Sequence, residues 1–141
     1  MPKLQTHKAV SGIPPQIKID KTPFTQGGEG ELYFSLCGQY VVKLYHRASR
    51  DKEDLLSTII SDISQYVSNE EKELITWPLA FGYMGGQLGV VTKRVPTPPC
   101  QNLLDFTLTP RQFVEQVLKG NSWVDYLNLA RSLARVIRVL H

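Results

Sequence analysis

The sequence predicts an α+β fold: an antiparallel five-stranded sheet with one packed helix, followed by two C-terminal helices. Short bursts of alternating apolar residues bounded by glycine or proline fill residues 17–45 and 79–92, which is typical of strands. Between these bursts, residues 51–67 carry leucine, isoleucine and valine at helical spacing. After residue 95, prolines interrupt the pattern, and two segments with helix-start signals follow.

These signals divide the chain into an N-terminal arm at 1–16, a domain at 17–95 and a linker with two helices at 96–141. The arm is polar and ends in Pro14 and Pro15, which lack amide donors, so we expect an extended segment with few backbone hydrogen bonds of its own. At 141 residues with 42% hydrophobic content, the chain has enough apolar material for one compact core.

The predicted elements follow in order. Two short segments are predicted to be hairpin connections: Cys37-Gly38-Gln39 and Met84-Gly85-Gly86-Gln87. The helix at 51–67 begins with Ser49 or Asp51 as its N-cap. Pro96-Thr97-Pro98-Pro99 cannot continue a central strand and is predicted to be a linker.

The two C-terminal helices carry their own start signals. Thr109 and Pro110 open a short helix through Leu118. Ser122 caps the last helix, whose apolar stripe consists of Tyr126, Ala130, Leu133, Ile137 and Leu140.

Composition argues against several classes of protein. A net charge of +3 with basic residues spread along the chain gives no support for a nucleic-acid-binding face. No apolar run approaches the roughly 18 residues needed to span a bilayer, so we expect a cytoplasmic protein without membrane contact. Cys37 and Cys100 form no zinc-binding pattern and fit a reducing compartment.

The glycine-rich segment Gly27-Gly28-Glu29-Gly30 lies between two predicted strands. Its amides would be able to approach phosphate oxygens closely, although a tight hairpin without a ligand uses the same residues. A Rossmann fingerprint or a P-loop would lead into a helix, whereas this segment leads into a strand. The pattern favours a hairpin lying over a nucleotide as a flap.

Lys43 follows Gly30 by thirteen residues and lies within the apolar strand Val41-Val42-Lys43-Leu44. By itself, a lysine in a strand is explained by an outward-facing edge position. An ammonium facing the interior would need an anionic partner. Together with the glycine segment, Lys43 is more simply explained as a phosphate ligand.

These residues resemble the N-terminal lobe of eukaryotic-type serine/threonine protein kinases, and in detail bacterial kinase-like proteins. The glycine-loop motif GxGxxGxV is matched from Thr25 to Leu32, with Thr25 in place of the first glycine, and the VAIK motif is matched around Lys43. The resemblance implies that Lys43 holds the α- and β-phosphates of ATP and pairs with an acid on the following helix, for which Glu53 and Asp62 are the candidates.

Glu53 is equally explained as a solvated acid in the first turn of that helix. The resemblance also places Thr92 as the gatekeeper and Lys93 and Val95 at the hinge that meets adenine; otherwise Thr92 is an ordinary strand residue. The implied nucleotide-binding residues are Thr25, Gly27, Gly28, Gly30, Leu32, Lys43, Thr92, Lys93 and Val95.

The resemblance extends from Thr25 to His141, and the last helix resembles the one that precedes the catalytic loop. The 141 residues contain no match to the catalytic-loop aspartate, the magnesium-binding asparagine or the DFG aspartate, so we predict no catalytic and no metal-binding residues here. We expect an ATP-binding kinase fragment that is inactive alone. Its full-length parent would use ATP and magnesium to phosphorylate a protein hydroxyl.

Two other functions stay open. The chain would alternatively be a non-catalytic, pseudokinase-like scaffold or nucleotide sensor that forms a homodimer through the exposed stripe of its last helix. It would otherwise be an α+β adaptor with a glycine hairpin and no ligand, in which the charge of Lys43 has no role.

Overall fold

The computed structural model describes residues 1–95 and 123–140. The chain divides into two compact units, Met1–Arg94 and Val95–His141. The predicted linker at 96–99, the predicted helix at 109–118, the cap Ser122 and Cys100 lie outside the described residues. Within the described ranges, no helix is long and apolar enough to cross a membrane.

Seven antiparallel strands form one curled sheet in the first unit, in the order β2-β1-β6-β7-β5-β4-β3. The predicted α+β class and antiparallel sheet are confirmed, and the predicted strand number is too low. The strands are β1 (Lys3–Ala9), β2 (Gln16–Lys18), β3 (Thr25–Gln26), β4 (Gly30–Phe34), β5 (Tyr40–Tyr45), β6 (Pro78–Met84) and β7 (Gln87–Lys93).

The additional pairing comes from the segment predicted to be an arm. β1 pairs with β2 on one side and with β6 on the other, so its backbone groups are satisfied within the sheet. Leu4 on β1 is fully buried, whereas its neighbours Lys3 and Gln5 are exposed. Pro14 and Pro15 lie in the connection between β1 and β2, where a missing amide donor breaks no ladder.

The predicted helix at 51–67 is a continuous helical segment with three geometries. It comprises α1 (Arg50–Thr58), a π-helical turn (Ile59–Ile63) and a 3₁₀ turn (Ser64–Tyr66). Ser49 is the N-cap, because its hydroxyl accepts a hydrogen bond from the Lys52 amide. A short helix, α2 (Asn69–Leu74), follows, and a capping box at Ser68 and Glu71 starts it.

The second unit contains α3 (Trp123–Leu140), which confirms the predicted last helix. Several of its apolar side chains are exposed: Val124, Leu127, Leu133 and Ile137.

Two apolar clusters lie on opposite faces of the curled sheet. The first lies within the curl and includes Val42 and Leu44 of β5. The second joins Leu56 and Ile60 of the helical segment to Phe81, Leu88 and Val90 of the sheet. Because successive strand residues face opposite sides, Lys43 lies on the same face as the helical segment.

Candidate functional site

A cleft of about 340 Å³ lies at the hairpin that joins β3 to β4. Its lining includes Lys43 of β5 together with hairpin residues that the sequence analysis selected: Thr25, Gly27, Gly28, Gly30 and Leu32. Gln26 and Glu29 complete the lining. The structure therefore brings the glycine segment and Lys43 together in one cleft, although they are separated along the chain.

The three residues predicted from the hinge resemblance do not line this cleft. Thr92 lies on β7 opposite Val41, whereas Lys43 lies opposite Val90. Thr92 is thus on the same face as Lys43, displaced by two residues along the strand. Lys93 is on the other face, and Val95 belongs to the second unit.

Backbone hydrogen bonds fix the tip of the hairpin. The Gly27 amide donates to the Gly30 carbonyl at 2.9 Å, and the His46 amide donates to the Glu29 carbonyl at 3.0 Å. The His46 ring nitrogen Nε2 lies 3.2 Å from the Gly27 carbonyl oxygen. Within the described residues, the amides of Gly28 and Glu29 make no hydrogen bond, so two donors are left for an external acceptor.

The glycines of the hairpin differ in what the fold requires of them. A Cβ at Gly30 would lie 2.2 Å from the Leu44 carbonyl oxygen, so close strand pairing demands glycine there. Gly27 and Gly28 have no positive φ, and a Cβ at either would meet no atom within 4 Å. Nothing in the described fold requires glycine at these two positions, whereas close approach of a ligand to the backbone would.

Lys43 has a polar and an aromatic neighbour. Its Nζ donates to Glu29 Oε2 at 3.1 Å, and the lysine side chain is 32% exposed. The same Nζ lies 4.9 Å from the centroid of the Tyr45 ring, and Lys52 Nζ lies 4.1 Å from that centroid. Two cations therefore share one aromatic ring beside the cleft.

The predicted ion-pair partners of Lys43 are wrong, because the structure pairs it with Glu29 instead of Glu53 or Asp62. Glu53 accepts a hydrogen bond from the Tyr83 hydroxyl, and this bond is the largest cause that raises the pKa of Tyr83 to about 12. Half-buried Glu53 is therefore engaged with β6, and Asp62 in the π-helical turn is exposed.

Glu29 is the site residue that sequence reasoning missed. The kinase resemblance directs attention to the helix after the lysine, whereas this acid lies inside the glycine segment itself. The hydrogen bond from Lys43, then the charges of Lys43 and Lys52, hold the pKa of Glu29 below its ordinary value. The neighbouring lysines therefore favour the ionised form of this carboxyl over its protonated form.

A second cleft of about 440 Å³ meets the first at the hairpin tip. Both clefts are lined by Gly28 and Glu29, and the second adds His46, Arg47 and Lys52. The tip is therefore flanked by basic side chains on two sides. Among the described residues, no group of three or more histidine, cysteine, aspartate or glutamate side chains is arranged to hold a metal ion.

Comparison with known proteins finds no matching family model, no matching curated protein and no matching solved structure.

Proposed function

We propose that this chain binds ATP beneath the β3–β4 hairpin, as the nucleotide-binding part of a serine/threonine-type protein kinase. The observation that supports this most is the single cleft lined by Gly27, Gly28, Gly30 and Lys43. Two glycines that the described fold does not require lie across from a lysine on the sheet, which is the arrangement that a polyphosphate needs.

Each group has a defined part in this binding. The amides of Gly28 and Glu29 donate to phosphate oxygens, and the Lys43 ammonium neutralises their charge. Leu32 lies directly opposite Lys43 on the neighbouring strand and offers apolar surface on the same face. Thr92 lies on the same face, two residues along β7 from the residue opposite Lys43, and by the kinase resemblance it would lie near the adenine ring.

The contribution of these residues to phosphoryl transfer is positioning. Magnesium bound with the nucleotide would supply positive charge against the phosphates during transfer to a protein hydroxyl. The 141 residues include no match to the catalytic base or the metal-ligand motifs of kinases. We therefore expect this chain alone to bind the nucleotide without transferring its phosphoryl group.

A non-catalytic scaffold or nucleotide sensor is the second candidate. It is favoured by the exposed apolar side chains of α3, such as Leu127 and Ile137, which would pair with a second copy of the chain. In this case nucleotide binding would accompany self-association. Sedimentation analysis showing a monomer at high concentration would count against it.

The direct test is an ATP–magnesium titration followed by amide NMR. We expect shifts at Gly28 and Glu29 with a Kd of about 1 mM, which corresponds to about 4 kcal/mol. Lys43→Ala should weaken binding about tenfold or more, because a charge-assisted hydrogen bond is lost. Lys18→Ala removes the same charge from an exposed position on β2 and should leave binding unchanged. No shift at about 10 mM ATP would contradict the proposal.

A further inference from the structure

Glu29 lines the cleft at the β3–β4 hairpin, and its side chain contributes little to holding the fold together. The Glu29 side chain is 73% exposed, and its described partner is Lys43, which is itself partly exposed. Ion pairs of this kind contribute little to stability. The Glu29 carboxylate nevertheless pairs with the Lys43 ammonium, which is the group that binds phosphate in the proposed function.

We propose that Glu29 is a specificity-determining residue, which competes with phosphate for Lys43 and thereby selects nucleotides whose phosphates carry a divalent cation. This inference rests on the proposed function, because it concerns the same cleft.

The competition follows from the placement of the two groups. A phosphate oxygen that bonds Lys43 Nζ must displace Glu29 Oε2 from its position 3.1 Å away. The displaced carboxylate stays near the ligand, because the His46 amide holds the backbone of Glu29 at the hairpin tip. Binding therefore places a carboxylate beside a polyanion of the same sign.

Metal selection follows from the charge of that polyanion. Metal-free ATP brings about four negative charges into the cleft, and bound magnesium cancels about two of them, so repulsion from Glu29 falls by about half. The cations Arg47 and Lys52 at the tip attract metal-free ATP at least as strongly as its magnesium complex, so they do not produce this discrimination.

Glu31 supplies a matched control. It lies two residues from Glu29 on β4, does not line the cleft and accepts a hydrogen bond from the Tyr33 hydroxyl. Because Glu31 and Tyr33 face the side opposite to Leu32 and Lys43, Glu31→Gln removes the same charge without touching the phosphate site.

The experiment measures the Kd of ATP, with excess magnesium and with chelator, for the unaltered chain, Glu29→Gln and Glu31→Gln. We expect Glu29→Gln to strengthen binding of metal-free ATP about fivefold and of the magnesium complex less than twofold, whereas Glu31→Gln matches the unaltered chain. Amide spectra of the free variants check that each is folded.

Other outcomes separate this inference from the proposed function. If the unaltered chain binds ATP and Glu29→Gln binds both forms with the same affinities, the role of Glu29 is overturned and the ATP site stands. An equal gain for both forms overturns the metal selection. If neither the unaltered chain nor Glu29→Gln binds ATP, both proposals are overturned.

Discussion

The sheet contains two glycine-rich hairpins, and the structural reason for glycine differs between them. At the β6–β7 connection, Gly85 and Gly86 adopt φ values of 57° and 83°, the conformation that a tight two-residue hairpin turn requires. At the β3–β4 connection, Gly27 and Gly28 have no positive φ and no close neighbours. Glycine content alone therefore does not identify a ligand site, because the described fold explains the glycines of one hairpin and does not require those of the other.

The two tips also differ in charge. The β6–β7 turn, Met84-Gly85-Gly86-Gln87, contains no ionisable side chain. The β3–β4 tip carries Glu29 against Lys43, with a second cleft of basic residues beside it. The β3–β4 hairpin, the first along the chain, thus combines an ion pair with glycines that the fold does not require. The β6–β7 hairpin, the second along the chain, only reverses the chain direction.

The largest expected effect lies at the one glycine of the first hairpin that the fold does require. Gly30→Ala would place a methyl group 2.2 Å from the Leu44 carbonyl oxygen, so the β4–β5 pairing must shift. We expect a loss of about 2–3 kcal/mol in the free energy of unfolding, measured by urea denaturation. A loss under about 0.5 kcal/mol would mean that the strands approach less closely than described.

A smaller effect is expected in the second hairpin. Gly86→Ala introduces no clash, but alanine at a φ of 83° is strained, and we expect a loss of about 1–2 kcal/mol in the free energy of unfolding. Gly86→Asn is the control, because asparagine tolerates this conformation better, and it should recover part of the loss. Equal stability of the alanine variant and the original chain would remove the contrast between the hairpins.

Much of the fold was predictable because its signals are local. The period-two pattern of residues 40–45 predicts a strand in which Lys43 faces the side opposite to Val42 and Leu44. Helical spacing and the Ser49 cap predict the segment that begins at Arg50. The strand after the glycines predicts the hairpin, and the hairpin in turn brings Gly28 close to Lys43.

The remaining features depend on contacts between distant parts of the chain. β1 becomes a strand because β6 offers it an edge, and its own polar sequence, with one fully buried residue at Leu4, gives little period-two signal. The pairing of Lys43 with Glu29 depends on how the tip folds over β5, which residue spacing does not encode. Glu53 is directed to Tyr83 by the packing of α1 on β6.

The smallest effect on stability, and the sharpest comparison, is expected at Gly28. Alanine there meets nothing and requires no positive φ, so Gly28→Ala should leave the free energy of unfolding unchanged or raise it by about 0.5 kcal/mol by restricting the unfolded chain. Its methyl group would, however, obstruct close approach of phosphate to the backbone, and ATP affinity should fall about fivefold in the same NMR titration.

Gly86→Ala is the reciprocal control, since it should lower stability without changing ATP affinity. A ligand-binding role for the β3–β4 hairpin predicts opposite results for the two variants. Gly28→Ala keeps its stability and loses ATP affinity, whereas Gly86→Ala loses stability and keeps its ATP affinity. If Gly28→Ala bound ATP as well as the original chain, the missing side chain would have no ligand-related cause. Gly28 would then have no part in ATP binding, and Lys43 would be the remaining residue that supports a phosphate site.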